Sequence, residues 1–240
     1  MTVDLFIPCF IDQLYTQTGW NVVKILEKAG VTVQYNPQQT CCGQPTFNSG
    51  FWKESKKMAE KFINDFPHDR PIVVPSASCG GYVKNHYAKL FEGDTAMLAE
   101  CERLNRNIIE LSDFLVNQIK KVDFGASFPH KITYHDSCSS LREYKLKDEP
   151  RRLLANVKGL ELVEMDENTT CCGFGGTFMV KYVPVSAAMT QQKLENALKT
   201  GAEYIVSTDS SCLLNMNSYI EKQQLPIKVM HLADILASFE

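Results

Sequence analysis

The chain has 240 residues, 44% of them hydrophobic, enough to bury a sizeable core as one large domain or as two of about 120 residues. A formal net charge of −3 and a pI near 6.0 give nucleic acid or an acidic membrane surface nothing to hold, so neither is expected as a partner. No stretch reaches the roughly 20 apolar residues of a membrane span, and Asp4 stands where a signal peptide carries basic residues, so a soluble, cytoplasmic chain is expected.

Residues 3–7 form a short apolar run that reads as a buried strand and delivers Cys9 just past its end. Within 13–29, Trp20, Val23, Ile25 and Leu26 recur at roughly helical spacing, and Gly30 supplies a stop. Residues 31–35 read as the next strand, after which the turn Pro37-Gln38-Gln39 leads into Cys41-Cys42. A helix is predicted over 49–66, with Lys53, Glu54, Lys56, Lys57, Glu60 and Lys61 on a solvated face. Residues 72–75 are the β-branched run of a central parallel strand, followed by a small-residue turn carrying Cys79 and a helix toward Phe91. One or two helices cover 94–117, with Ser112 read as a cap, and 123–127 reads as a linker.

The second half repeats this order, with a strand at 132–135 before Cys138, one at 160–165 before Cys171-Cys172, and one at 204–207 before Cys212. Its close, Leu232-Ala233-Asp234-Ile235-Leu236, echoes Leu111-Ser112-Asp113-Phe114-Leu115. Strands alternating with helices predict two tandem, pseudo-symmetric α/β domains, 1–122 and 130–240, each with a mostly parallel sheet flanked by helices.

Chemistry concentrates in the cysteines. Thr40-Cys41-Cys42-Gly43 returns as Thr170-Cys171-Cys172-Gly173, and Cys9 and Cys79 flank the first pair at distances close to those of Cys138 and Cys212 from the second. Eight of the nine cysteines thus fall into two matching quartets, leaving Cys101 as a structural residue. Loops at the carboxyl ends of strands gather at one edge of an α/β sheet, so each quartet is expected to converge. In a reducing compartment such quartets point to metal before redox catalysis. A zinc ribbon would show two Cys-x-x-Cys knuckles, whereas adjacent cysteines suit a larger, multi-iron group. Gly43 and Gly173 allow the backbone to approach such a group and to take positive φ.

His135 lies near Cys138 and reads first as a packed or capping histidine, with a metal ligand or a hydrogen-bond donor to a cofactor sulfur as the alternative, and His231 reads as the neighbour of a cap. Arg142, Arg151 and Arg152 read as a solvated patch. Gly173-Phe174-Gly175-Gly176 lacks the strand-turn-helix setting of a nucleotide loop and is assigned to cofactor accommodation.

The doubled Cys-Cys-Gly pattern resembles the cysteine-rich CCG domain, found twice in the B subunit of heterodisulfide reductase and in the iron-sulfur subunit of glycolate oxidase. Cys-Cys-Gly-Gln-Pro from Cys41, Cys-Cys-Gly-Phe-Gly-Gly-Thr-Phe from Cys171 and Ser-Cys-Leu-Leu-Asn from Ser211 resemble, over essentially the whole chain, the lactate-utilization protein A family. That resemblance implies an electron-transfer subunit with iron-sulfur clusters, acting with the other subunits of a three-protein complex that oxidises L-lactate to pyruvate. The wider pattern ends each motif in Cys-x-x-Cys, whereas Tyr82 and Asn215 occupy the final positions here. Four cysteines per site favour one [4Fe-4S] cluster held by Cys9, Cys41, Cys42 and Cys79 and another held by Cys138, Cys171, Cys172 and Cys212. Two alternatives stay open, a scaffold with zinc at one or both sites and a dithiol-disulfide oxidoreductase using Cys41-Cys42 or Cys171-Cys172.

Overall fold

The computed structural model describes residues 1–239. In the first half, strands β1 (Thr2–Leu5), β2 (Thr32–Tyr35), β3 (Ile72–Val74) and β4 (Ile108–Glu110) form an all-parallel sheet in the order β2-β1-β3-β4. Helices α1 (Cys9–Leu14) and α2 (Thr16–Lys28) connect the first two strands, and α3 (Gln44–Asn48) and α4 (Trp52–Asp65) lead back to β3. Next come α5 (Ala77–Leu90) and α6 (Thr95–Asn107), and after β4 the short α7 (Leu111–Asp113) runs on as a π-helical turn, Phe114–Gln118. The second half has β5 (Lys131–Tyr134), α8 (Asp148–Leu154), β6 (Glu161–Leu162), α9 (Phe178–Lys181), α10 (Val183–Lys199), β7 (Tyr204–Ser207), α11 (Ser210–Gln223), β8 (Lys228–His231) and α12 (Leu232–Leu236). Its sheet, again all parallel, has the order β6-β5-β7-β8, which is the order of the first sheet.

Side chains alternate across a strand, and here both faces of each central strand are buried, which is why these strands read as continuous apolar runs. Val3, Leu5, Val73 and Ile109 of the first sheet join Ile132, Tyr134 and Val206 of the second in one core between the sheets. Phe6, Ile72, Val74 and Ile108 face the other way, into the core under α4, α5 and α6, and Ile205 does so under α10 and α11. The two terminal segments are exchanged. α12 packs on α2 of the first half, where Thr18 Oγ1 and Asn21 Nδ2 donate to Asp234 at 2.9 and 2.8 Å. α7 packs on α8, and Tyr144 Oη donates to Asp113 at 2.8 Å.

Five readings of the sequence are corrected here. The segment 94–117 is not helical throughout, because the buried triplet Ile108-Ile109-Glu110 adds an edge strand too short to show alternation. The cap after it is the Glu110 carboxylate, which accepts from the amides of Ser112 and Asp113 at 2.6 and 3.2 Å, and Ser112 itself is not the cap. Arg151 is not part of a solvated patch, since it grips Asp136 at 2.8 and 3.0 Å and Glu164 at 2.6 and 3.0 Å. β8 is an additional strand, and the strand expected over 160–165 is reduced to two residues. His231 goes beyond the role of a neighbour and caps α12 itself, its Nδ1 accepting from the Ala233 amide at 3.1 Å.

Between the halves, Asp209, the residue before α11, accepts from Ser76 Oγ at 2.8 Å, from the Ser78 amide at 3.1 Å and from Ser137 Oγ. Ser76 holds the same place before α5. Removing a buried acceptor strands its donors at about 1–3 kcal/mol each, so Asp209→Ala is expected to lower unfolding free energy by roughly 3 kcal/mol in urea titrations. A change below about 1 kcal/mol would contradict this clamp.

Glu110 is fully buried, one of its carboxylate oxygens has no partner, and burial pushes its pKa up to about 8. A carboxyl raised on folding binds more protons in the folded state than in the unfolded one between its ordinary pKa and the raised value. Stability therefore falls as pH rises through that window. Glu110→Gln is expected to flatten this slope between pH 5 and 8 in denaturation curves, leaving stability near pH 4 little changed.

Candidate metal centre

Each quartet is assembled by loops leaving the carboxyl edge of one parallel sheet. β1 delivers Cys9, which opens α1, and the loop beyond β2 brings Cys41 and Cys42. Cys79 sits in the first turn of α5, after β3. In the second half β5, the loop beyond β6, and the first turn of α11 bring Cys138, the pair Cys171-Cys172, and Cys212. Cys79 and Cys212 thus lie inside the first turns of their helices, where the sequence placed Cys79 in the turn before one.

The structure brings all eight together. Cys9 contacts Cys41, Cys41 contacts Cys42, and Cys42 contacts Cys79 through their thiols. The same chain of contacts runs from Cys138 through Cys171 and Cys172 to Cys212. Both chains line a single cavity of about 230 Å³ between the halves, walled also by Phe10, Phe174, Gly175 and Asp209. All eight cysteines are free thiols, as is Cys101, which lies apart in the core under α6.

The backbone around each pair follows one plan. Gly43 and Gly173 both have φ of 91°, and their amides donate to Cys41 Sγ and Cys171 Sγ, each at 3.4 Å. Ser55 Oγ donates to the Gly43 carbonyl at 3.5 Å, as Ser186 Oγ does to that of Gly173 at 2.8 Å. Tyr87 Oη donates to the Cys42 carbonyl at 2.8 Å, whereas Thr190 Oγ1 and Asn215 Nδ2 donate to that of Cys172, each at 2.9 Å. Tyr82, at the place corresponding to Asn215, instead contacts Ser55 Oγ at 2.7 Å.

Thiols so close cannot all ionise unaided. Hydrogen bonding to Cys41 and then burial push Cys9 up, and Cys41 together with Cys79 does the same to Cys42. Cys138 is raised by Cys171 and by burial. Cys41, hydrogen-bonded by Cys42 and Cys9, is lowered to about 3. A cation is what such a set lacks, and thiolate donors select zinc, copper(I) or iron-sulfur clusters.

Two further residues adjoin the second quartet, His135, whose reading as a ligand or donor stood second in the sequence, and Lys193, which the sequence reading did not single out. His135 is neither a cap nor an ordinary packed histidine. It is fully buried, and neither ring nitrogen has a hydrogen-bond partner. A ligand atom of its ring and the sulfurs of Cys172 and Cys212 lie within 4.8 Å of one another. Burial, with Lys193 nearby, pushes its pKa down to about 3, so the ring is neutral. An unpaired buried N–H costs about 1–3 kcal/mol, so a group in the quartet that accepts from this ring is the fit the site offers. Lys193 is also buried, and its Nζ donates to the Glu167 carbonyl at 2.8 Å. Burial brings its pKa down to about 8 against the opposing pull of Cys172 and Asp136. A signal was available in the sequence, because Lys193 adjoins Thr190, Leu194 and Ala197 on the buried stripe of α10.

The fold and these cysteines define a tandem cysteine-rich domain protein. The sequence profile of that family, CCG, matches twice, over residues 3–84 and 132–217. Lactate utilization protein A of Geobacillus kaustophilus (strain HTA426) is 43% identical over 98% of this chain and 98% of its own length. That of Geobacillus sp. (strain WCH70) is 41% identical over 99% of this chain and 100% of its own. The chain belongs to the lactate utilization protein A family. Among solved structures, a hypothetical protein from Helicobacter pylori matches 100% of the chain with a TM-score of 0.60 at 11% identity, a likeness of fold alone. The chain spans 49% of that structure. Among the described residues, no helix is long and apolar enough to cross a membrane.

A Cβ at Gly173 would lie 2.6 Å from the Ser186 carbonyl oxygen, while one at Gly43 would meet the Met58 side chain at 3.2 Å. The left-handed backbone costs either alanine about 1–2 kcal/mol. Gly173→Ala is expected to destabilise the protein more than Gly43→Ala in urea titrations and to lose metal from the second quartet first. Equal effects would count against the close backbone packing around Cys171-Cys172.

Proposed function

We propose that this chain is the electron-transfer subunit of an oxidoreductase complex that oxidises L-lactate to pyruvate, with one [4Fe-4S] cluster in each half. Cys9, Cys41, Cys42 and Cys79 hold the first cluster; Cys138, Cys171, Cys172 and Cys212 hold the second. The observation that carries this reading is the convergence of both quartets on one cavity. A cluster bound there takes up and releases single electrons, and two such carriers facing one cavity form a relay across the chain. The substrate and the partners rest on the relatives named for lactate utilization. In this reading the other subunits of a three-protein complex carry out the chemistry on lactate, and this chain conveys the electrons.

A second reading, zinc at the second quartet with a scaffolding role, is favoured by one observation. His135 beside Cys172 and Cys212 offers the mixed nitrogen and sulfur donors that structural zinc takes.

Iron, zinc and sulfide content of protein purified without oxygen separates the two, together with electron paramagnetic resonance after dithionite reduction. Two cluster signals are expected, one lost in Cys41→Ser and the other in Cys171→Ser. Zinc with neither sulfide nor signal would replace the electron carrier with a metal-stabilised scaffold.

A further inference from the structure

The two quartets match, but the residues behind them do not. Phe6 and His135 hold the same place in the two sheets, for the amide of Phe6 donates to the Val73 carbonyl at 3.0 Å and that of His135 to the Val206 carbonyl at 2.8 Å. Ser55 and Ser186, each donating to the glycine that follows a cysteine pair, align α4 with α10. That alignment sets Phe62 against Lys193. In the first half Phe6 and Phe62 stack edge to face, with ring centroids 4.8 Å apart. In the second half the same two places hold an imidazole without partners and a buried ammonium.

We propose that this exchange makes the second centre the one of higher reduction potential, so that an electron shared between the two centres resides at the Cys138–Cys171–Cys172–Cys212 site. The inference rests on the iron-sulfur reading above. Reduction adds negative charge to a centre. A cation beside a centre and a ring N–H within 4.8 Å of its sulfurs stabilise the reduced form, and aromatic rings supply neither. Lys193 and His135 act here through the centre they face and take no part in substrate chemistry.

Redox titration of the anaerobically purified, full-length protein, followed by electron paramagnetic resonance, tests this. The wild type is expected to reduce in two steps, the earlier belonging to the signal that Cys171→Ser abolishes. Lys193→Met is expected to shift the equilibrium between the centres at least tenfold toward the first, about 59 mV for a one-electron couple, while the potential of the first stays unchanged. Lys193→Arg, which keeps the charge, is expected to keep the wild-type order. His135→Phe, which copies the first half, is expected to lower the same potential. In protein labelled with ¹⁵N-histidine, the hyperfine coupling of the second signal to a histidine nitrogen should disappear in that variant.

The order of the wild-type potentials and the nitrogen coupling decide the matter even where a variant fails to fold. Two cluster signals with equal or reversed potentials, or variants that shift neither, would overturn this inference and leave the proposed function intact. Protein with no iron in either quartet would overturn both.

Discussion

Repulsion among thiolates is the constraint on which the rest of this structure depends. In the first quartet the shared hydrogen bonds favour Cys41 as a thiolate while Cys9 and Cys42 are held protonated, so a full set of thiolates needs a cation and the polypeptide must hold the sulfurs together for it. Rigid parallel sheets do this by fixing the strand ends from which the cysteine loops depart. Glycines with left-handed backbone then turn each Cys-Cys pair so that both thiols reach the chain of contacts. The amides of Gly43 and Gly173 and the first turns of α5 and α11 add oriented N–H groups where negative charge gathers.

Bringing two such sites to one cavity requires a second device. The exchanged packing of α12 on α2 and of α7 on α8 commits each half to the other, and the core between the sheets is common to both. Asp209 ties Ser76 and Ser137 near the centre of this arrangement, close to the cavity itself. The halves are therefore integrated, and the separation between the quartets is set by the core rather than by the linker.

How much of this was legible follows from what leaves a repeated or periodic mark. The quartets were readable because cysteines are few and recur in the same order, and the central strands because burial on both faces makes them continuous apolar runs. β4 was hidden by its length of three residues, and β6 was read too long, two residues forming where a strand over 160–165 was expected. β8, Lys228-Val229-Met230-His231, lacks the β-branched density that marked β3. Arg151 and Asp209 were invisible for a different reason, since their partners lie on other elements and no local pattern announces a tertiary ion pair or a shared acceptor. The role of Lys193 needed the stripe of α10 and its alignment with α4 together.

Duplication explains both the likeness and the difference between the halves. In the proposed reading the cysteine positions tolerate little change, because a missing thiol leaves its three neighbours without a shared cation. The residues behind them are free to diverge so long as volume is filled and charge is compensated. Phe6 and Phe62 fill that volume with rings, and His135 and Lys193 fill it with polar groups whose burial costs free energy unless something in the quartet compensates them. Retaining such a pair in a buried position is costly for a site that only needs to be stable. The same pair makes physical sense where two otherwise equal centres must differ, since a charge and a donor beside one of them are the smallest changes that give a symmetric pair a direction.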